Sequence, residues 1–132
     1  LIEATTLYLK ETILQRYARI GAGIIESGYV SGRGWYVKYG DGTMEQWYEL
    51  PYPLSLSSYD SYNGYYETIQ FDFPVPYYDP PRVLPAHRLL SGASVSGAGY
   101  TTTVAKTNYY MGSHVAGNTA YPGYYAIGRW KA

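Results

Sequence analysis

The residues in this chain that could take part in bond-breaking chemistry are few and badly spaced. Glu45 and Glu49 are the residue types of a glycosidase acid and base, but along an extended strand they lie roughly 13 Å apart, beyond either hydrolytic geometry. They are expected to be solvated or to cap turns. Ser, His and Asp all occur, yet no Gly-x-Ser-x-Gly elbow presents a serine, and His87 and His114 have no recognisable triad partner. The two histidines also lack metal-ligand spacing, which leaves only a site on a threefold axis, with one residue from each chain. The chain has no Cys, so disulfides, thiol chemistry and Cys-ligated metals are excluded. Catalysis, cofactors and metals are therefore not expected.

Recognition chemistry is better represented. Sugars present flat apolar faces edged by hydroxyl groups, so a glycan site needs exposed aromatic rings with polar groups beside them. Tyr next to Asp, Asn or His meets that need. One such cluster is Tyr59, Asp60, Tyr62, Asn63 and Tyr65. A second is Asn108, Tyr109, Tyr110, His114 and Asn118, and a third is Tyr77 and Tyr78 with Asp79. Each tyrosine has an alternative role, packing against a sister chain or covering a proline ring. Trp35, Trp47 and Trp130 could also stack on sugars, but they lie in regular segments and are expected in the core.

The elements that position these residues read as short strands. Gly34-Trp35-Tyr36-Val37-Lys38-Tyr39 and Thr43-Met44-Glu45-Gln46-Trp47-Tyr48 flank Gly40-Asp41-Gly42 as a hairpin, with Trp35, Val37 and Tyr39 on one face. Ser55 to Gly64 is polar and Tyr-studded and predicts an exposed loop. Tyr66 to Phe73 alternates as a strand, and Pro74, Pro76, Pro80, Pro81 and Pro85 then impose extended, edge-like backbone. Further strands are predicted near Val83 to Leu90, Ala93 to Ser96, Tyr100 to Lys106 and Tyr124 to Trp130, with a Gly-broken segment before the last. Ahead of all this, Ile2, Thr6, Leu9, Ile13, Arg16 and Ile20 follow the spacing of a coiled-coil seam, broken by Arg16. A helix this short needs the following domain or sister chains to cover its stripe. The expected organisation is a stem over residues 1–22 and an all-β knob over 23–132.

Composition sets the outer limits. A chain of 132 residues, 15% charged, with ten Lys+Arg against ten Asp+Glu, is a single compact domain with no clustered cations to displace phosphate counterions. Nucleic acid is not an expected partner. No apolar run approaches the ~20 residues of a membrane span, and the first residues lack the order of a signal peptide. Beginning on Leu1 inside an element, the chain reads as the C-terminal piece of something longer. Its aromatic residues are 19 Tyr, 3 Trp and 2 Phe, a balance that favours surfaces where a ring packs at one end and is wet at the other.

Two segments are more specific than composition. Ile25-Glu26-Ser27-Gly28, followed by a short spacer and the Gly34 to Trp47 hairpin with its Gly40-Asp41-Gly42-Thr43-Met44-Glu45-Gln46 core, resembles the C-terminal domains of tail fibres from bacteriophages, prophages and phage-tail-like bacteriocins. Tyr124-Tyr125-Ala126-Ile127-Gly128-Arg129-Trp130-Lys131 resembles the ending of many such fibres, and Phe71-Asp72-Phe73-Pro74-Val75-Pro76-Tyr77 their central strand. The resemblance implies an antiparallel, β-sandwich-like knob on a short helical or coiled-coil stem, forming an intertwined or side-by-side homotrimer at the tip of a virion's tail fibre. It implies a non-catalytic adhesin whose loops contact lipopolysaccharide or another bacterial surface glycan, with a tail-fibre assembly chaperone as a further partner. The chain departs from the common pattern in its Tyr content, its Pro74 to Pro85 segment and its Ser57 to Tyr66 loop, so no receptor residue is carried over. Two rival functions remain: a trimerisation and folding cap without a receptor, and a small polysaccharide depolymerase or esterase.

Overall fold

A computed structural model describes residues 23–61, 64–91, 96–113 and 117–132, with backbone alone for 60, 89–91 and 96–100. The expected stem over 1–22 lies outside the described residues. The described chain is all β, as expected. Its strands are β1 (Ile24–Val30), β2 (Gly34–Tyr39), β3 (Thr43–Glu49), β4 (Leu54–Ser55), β5 (Ser58–Asp60), β6 (Gly64–Asp72), β7 (Arg82–Pro85), β8 (Arg88–Ser91), β9 (Ser96–Thr102), β10 (Lys106–Ser113), β11 (Thr119–Tyr121) and β12 (Gly123–Arg129). They form a five-stranded sheet ordered β1-β2-β3-β12-β7, a four-stranded sheet ordered β5-β6-β10-β9, and a small sheet ordered β4-β11-β8. Every pairing is antiparallel.

The β2–β3 hairpin forms where the sequence places it. The Gly42 N–H donates to the Tyr39 carbonyl at 3.1 Å, and the Asp41 carboxylate accepts from the Thr43 N–H at 2.8 Å. Gly42 has a φ of +95°, a backbone state that disfavours any side chain. The turn is locked from the far end of the chain, because the Trp130 N–H donates to the Gly42 carbonyl and the Arg129 guanidinium to that of Asp41.

Alternation then decides what is buried. Met44 and Gln46 of β3 and Tyr124 and Ala126 of β12 point inward, as do Phe71 of β6 and Tyr109 and Met111 of β10. The inner faces of the two larger sheets therefore share one core. Its centre is aromatic: Phe71 lies 5.0 Å from Tyr124 and 5.6 Å from Tyr109 by ring centroid, and Phe73 lies 5.4 Å from Tyr124. Each such ring contributes about 1.5–3 kcal/mol when removed from water.

The proline-rich stretch after Phe73 forms no strand until Arg82. It is tied down by a side chain that imitates a strand. Buried Gln46 accepts from the Val75 N–H at 2.9 Å and donates to the Val75 carbonyl at 2.7 Å. The Tyr77 N–H reaches the Val104 carbonyl and the Tyr78 N–H that of Arg129.

Two expectations are corrected. The segment from Ser55 to Gly64 is largely a hairpin arm, with Tyr59 paired to Tyr65 and Ser58 to Tyr66. Its polar residues suit an edge strand as well as a loop, and composition does not separate the two. The Gly-broken stretch after Lys106 is mostly β10, a central strand of the second sheet. The turn before it carries neither Gly nor Pro. Instead the Thr103 hydroxyl accepts from the N–H groups of Ala105 and Lys106, and the Thr103 N–H donates to the Lys106 carbonyl.

Candidate carbohydrate-binding surfaces

Successive side chains along a strand point to opposite faces, and this divides the Tyr109-Tyr110 and Tyr124-Tyr125 pairs; Tyr77 and Tyr78, outside any strand, are divided as well. Tyr109 is fully buried while Tyr110 is half-buried on the outer face; Tyr77 is buried while Tyr78 is exposed; Tyr124 is buried while Tyr125 is half-buried. Tyr77 and Tyr109 are therefore corrected from candidate binding residues to framework. Tyr77 packs edge-on against Phe73 at 5.2 Å. The Tyr109 hydroxyl meets His87 Nδ1 at 3.0 Å, and burial pushes its phenol up to about 12. Burial also raises the phenols of Tyr77 and Tyr124. Asn118 is a third correction, since its buried amide donates to the Ser113 hydroxyl at 2.7 Å and its carbonyl accepts from the Leu56 N–H.

Most of the remaining described candidates lie on the second sheet, divided between its faces: Tyr59 and Tyr65 share the side that packs on the core, Asn108 and Tyr110 the outer one. Tyr59 on β5 is 63% exposed, with its ring 5.0 Å from that of half-buried Tyr65. Asn108 and Tyr110 share the outer face of β10, opposite Gln70 and Thr68 of β6. The Tyr110 ring stacks on Tyr66 at 5.9 Å and 24°. The outer face thus carries stacked phenols beside two amides and a hydroxyl. Asp60 pairs through its backbone with Gly64, whereas Tyr62, Asn63 and His114 lie outside the described residues. Tyr78 and Asp79 are exposed on the proline-rich segment, apart from this face.

Two of the three tryptophans reverse the expectation, while Trp130 packs against the core. Trp35 and Trp47 are cross-strand partners on the outer face of the first sheet, 50% and 37% exposed. Trp130 is half-buried, with its indole N–H donating to the Tyr39 carbonyl at 2.8 Å and the Lys38 and Lys131 ammonium groups over its ring. The register extends the Trp pair into a row across the whole sheet, from Tyr29 through Trp35, Trp47 and Tyr125 to Leu84. Tyr29 lies 4.8 Å from Trp35 by ring centroid. A cleft of about 320 Å³ opens at one end, lined by Tyr29, Trp35, Trp47, Tyr48, Glu49 and Pro51. The signal for this orientation is present in the sequence: Glu45 and Glu49 flank Trp47 at a spacing of two on either side, and two carboxylates on one face mark it as wet.

Charged groups border this row. Glu49 accepts from Arg88 Nε at 3.0 Å and Nη2 at 3.5 Å, and the guanidinium also lies 4.3 Å from the Tyr121 ring centroid. Its hydrogen bond to Glu49 holds Arg88 above its ordinary range. On β1 and β2, the hydrogen bond from Lys38 holds the Glu26 carboxyl below the usual carboxylate range. Among the described residues no three metal-ligating side chains converge.

No protein-family model matches the sequence, and no curated protein matches it significantly. Solved structures do. The chain superimposes on an N-truncated R1-type pyocin tail fibre with a TM-score of 0.54 at 14% identity, covering 81% of this chain and 88% of that one. It has the R-type pyocin tail-fibre fold. A P. aeruginosa R1 pyocin fibre comprising C-terminal residues also gives 0.54 at 14% identity, and a P. aeruginosa R2 pyocin fibre gives 0.52 at 14%. These cover 81% and 82% of this chain but only 29% and 27% of the longer fibres. The pyocin-fibre fold places the outer faces of both sheets on an all-β, antiparallel scaffold whose core is shared between them.

Proposed function

We propose that this domain is the host-recognition end of a tail fibre, a non-catalytic adhesin for bacterial surface glycan, with lipopolysaccharide the first choice. The observation that carries the reading is the pyocin-fibre fold over four fifths of the chain. On this reading residues 1–22 are a stem, residues 23–132 the knob, and the working unit a homotrimer at the fibre tip of a phage or bacteriocin particle, assembled with or without a chaperone. Weak sites gain strength through several copies binding at once. On this reading the contacts are drawn from Tyr59, Tyr65, Asn108 and Tyr110, with Asp60, Tyr62, Asn63 and His114, and from Tyr78 on the proline-rich segment. Among the described residues Glu49 is paired with Arg88 and His87 with Tyr109, which supports binding over hydrolysis.

The test is binding of the purified chain, at known oligomeric mass, to host cells with intact and with genetically truncated lipopolysaccharide. Binding by a trimer to the intact surface alone is expected. Equal binding to both surfaces, or none, points to a protein receptor or to a trimerisation cap. Release of reducing ends or acetate from the host polysaccharide would establish the enzymatic alternative.

A further inference from the structure

We propose that Tyr29, Trp35 and Trp47 form a saccharide-stacking platform, flanked by Glu49 and Arg88, on the outer face of the first sheet. It rests on the glycan-adhesin reading and adds to it a second site, on residues distinct from the tyrosine cluster of the other sheet.

The platform follows from register. Tyr29 pairs with Trp35 and Trp35 with Trp47, so three rings rise from one face of neighbouring strands that span about 10 Å, those of Tyr29 and Trp35 inclined at 50° to each other. They are 49%, 50% and 37% exposed. Such an arrangement offers a shallow apolar shelf for the C–H face of a pyranose ring. A sugar also needs its hydroxyl groups fixed, and the shelf ends in a cleft of about 320 Å³ lined by the Glu49 carboxylate, a size at the lower end of small-molecule sites. Arg88 holds that carboxylate from the neighbouring sheet. The two contacts between them use only part of the lone pairs and N–H groups that the pair owns. The carboxylate can accept from vicinal hydroxyls, and the guanidinium can donate to a ring substituent. The ligand class is therefore a neutral or weakly acidic hexose unit within a polysaccharide.

A second copy of the chain is the competing occupant. The three rings together expose on the order of 300 Å², well short of the ~800 Å² per partner that a stable protein interface buries. The adjacent row on the same face runs Val37, Glu45, Ile127, Arg82 and so contains two charged residues. Interface centres are depleted in such charges, whereas a sugar site uses them at its rim.

Trp35→Ala and Trp47→Ala, with Trp35→Phe as the conservative control, test the platform on the full chain. The probe is polysaccharide freed of lipid from the lipopolysaccharide of a susceptible strain. Each Ala variant is expected to weaken binding about tenfold, with Trp35→Phe close to the parent, the sedimentation mass unchanged and the urea midpoint only slightly lowered. Binding that falls with Tyr59→Ala or Tyr110→Ala but not with the Trp variants overturns the platform and leaves the adhesin reading standing. A loss of oligomeric mass in the Trp variants overturns it in favour of a copy-to-copy contact. Failure of the parent chain to bind either the polysaccharide or intact cells overturns both readings together.

Discussion

The two faces of the β2–β3–β12 sheet differ in a way that runs against size. The inner face carries Met44, Gln46, Ala126 and Tyr124, all at or near zero exposure. The outer face carries Trp35 and Trp47, the largest side chains available, half open to water. Burial in this fold follows from which face meets the second sheet, and the residues that meet it are those that fit against Phe71, Tyr109 and Met111. Large exposed rings are then a property of the surface in its own right.

That contrast gives its sharpest prediction in paired truncations. Phe71→Ala is expected to cost about 3–5 kcal/mol in urea unfolding, because it empties the centre of the aromatic cluster. Trp35→Ala is expected to cost under about 1 kcal/mol, the scale of one cross-strand pair. Similar losses from the two would mean that the outer face is covered. Next in size, Gln46→Ala removes both bonds to Val75 and leaves a buried amide and carbonyl unmet, at about 2–3 kcal/mol. Its signature is faster hydrogen exchange at the Val75 amide. Gly34→Ala follows at about 1–3 kcal/mol, since φ is +114° and a Cβ there would meet the Trp47 carbonyl and the Tyr48 Cβ. A cost near zero would show that β2 and β3 can shift apart at that corner.

Alkali separates inner from outer tyrosines without mutation. The Tyr109 phenol is raised to about 12 in the folded chain from an ordinary 10.0. A raised folded value favours the neutral form, so its contribution is whole below pH 10 and fades as pH climbs toward 12. Burial moves Tyr77 and Tyr124 the same way. Tyrosinate absorbance should rise first for the exposed rings and then in a step that coincides with unfolding. A single non-cooperative rise would contradict the buried assignments. The smallest effect belongs to Arg88→Ala, whose urea midpoint should stay close to the parent's because water and salt screen an ion pair as exposed as this one.

Much of the fold was legible. The Gly40-Asp41-Gly42 turn, the alternation through Tyr66 to Phe73 and the terminal strand all coincide with observed elements, because each is encoded by local turn chemistry or period. β10 was missed because its entry turn is built by the Thr103 hydroxyl rather than by Gly or Pro. The candidate site was less legible. Period two tells that Tyr109 and Tyr110 part company, but not which one goes inside, since that depends on which face packs against β3 and β12 of the other sheet. For Trp47 the answer was within reach: Glu45 and Glu49 share its face, whereas a place in a regular segment does not say which face is covered.

The last strand in the chain occupies an interior place in the first sheet, between β3 and β7. Until β12 docks, the β1-β2-β3 meander and β7 have no hydrogen bond to each other, and two open edges face the solvent. Completion therefore depends on a segment some eighty residues downstream of its partner β3, a slow, long-range closure. A chain interrupted before Gly123 would lose the staple as well as the Trp130 and Arg129 contacts that hold the 40–42 turn. Only a copy that extends through Arg129 can close its own sheet and cover the edges that would otherwise recruit neighbours.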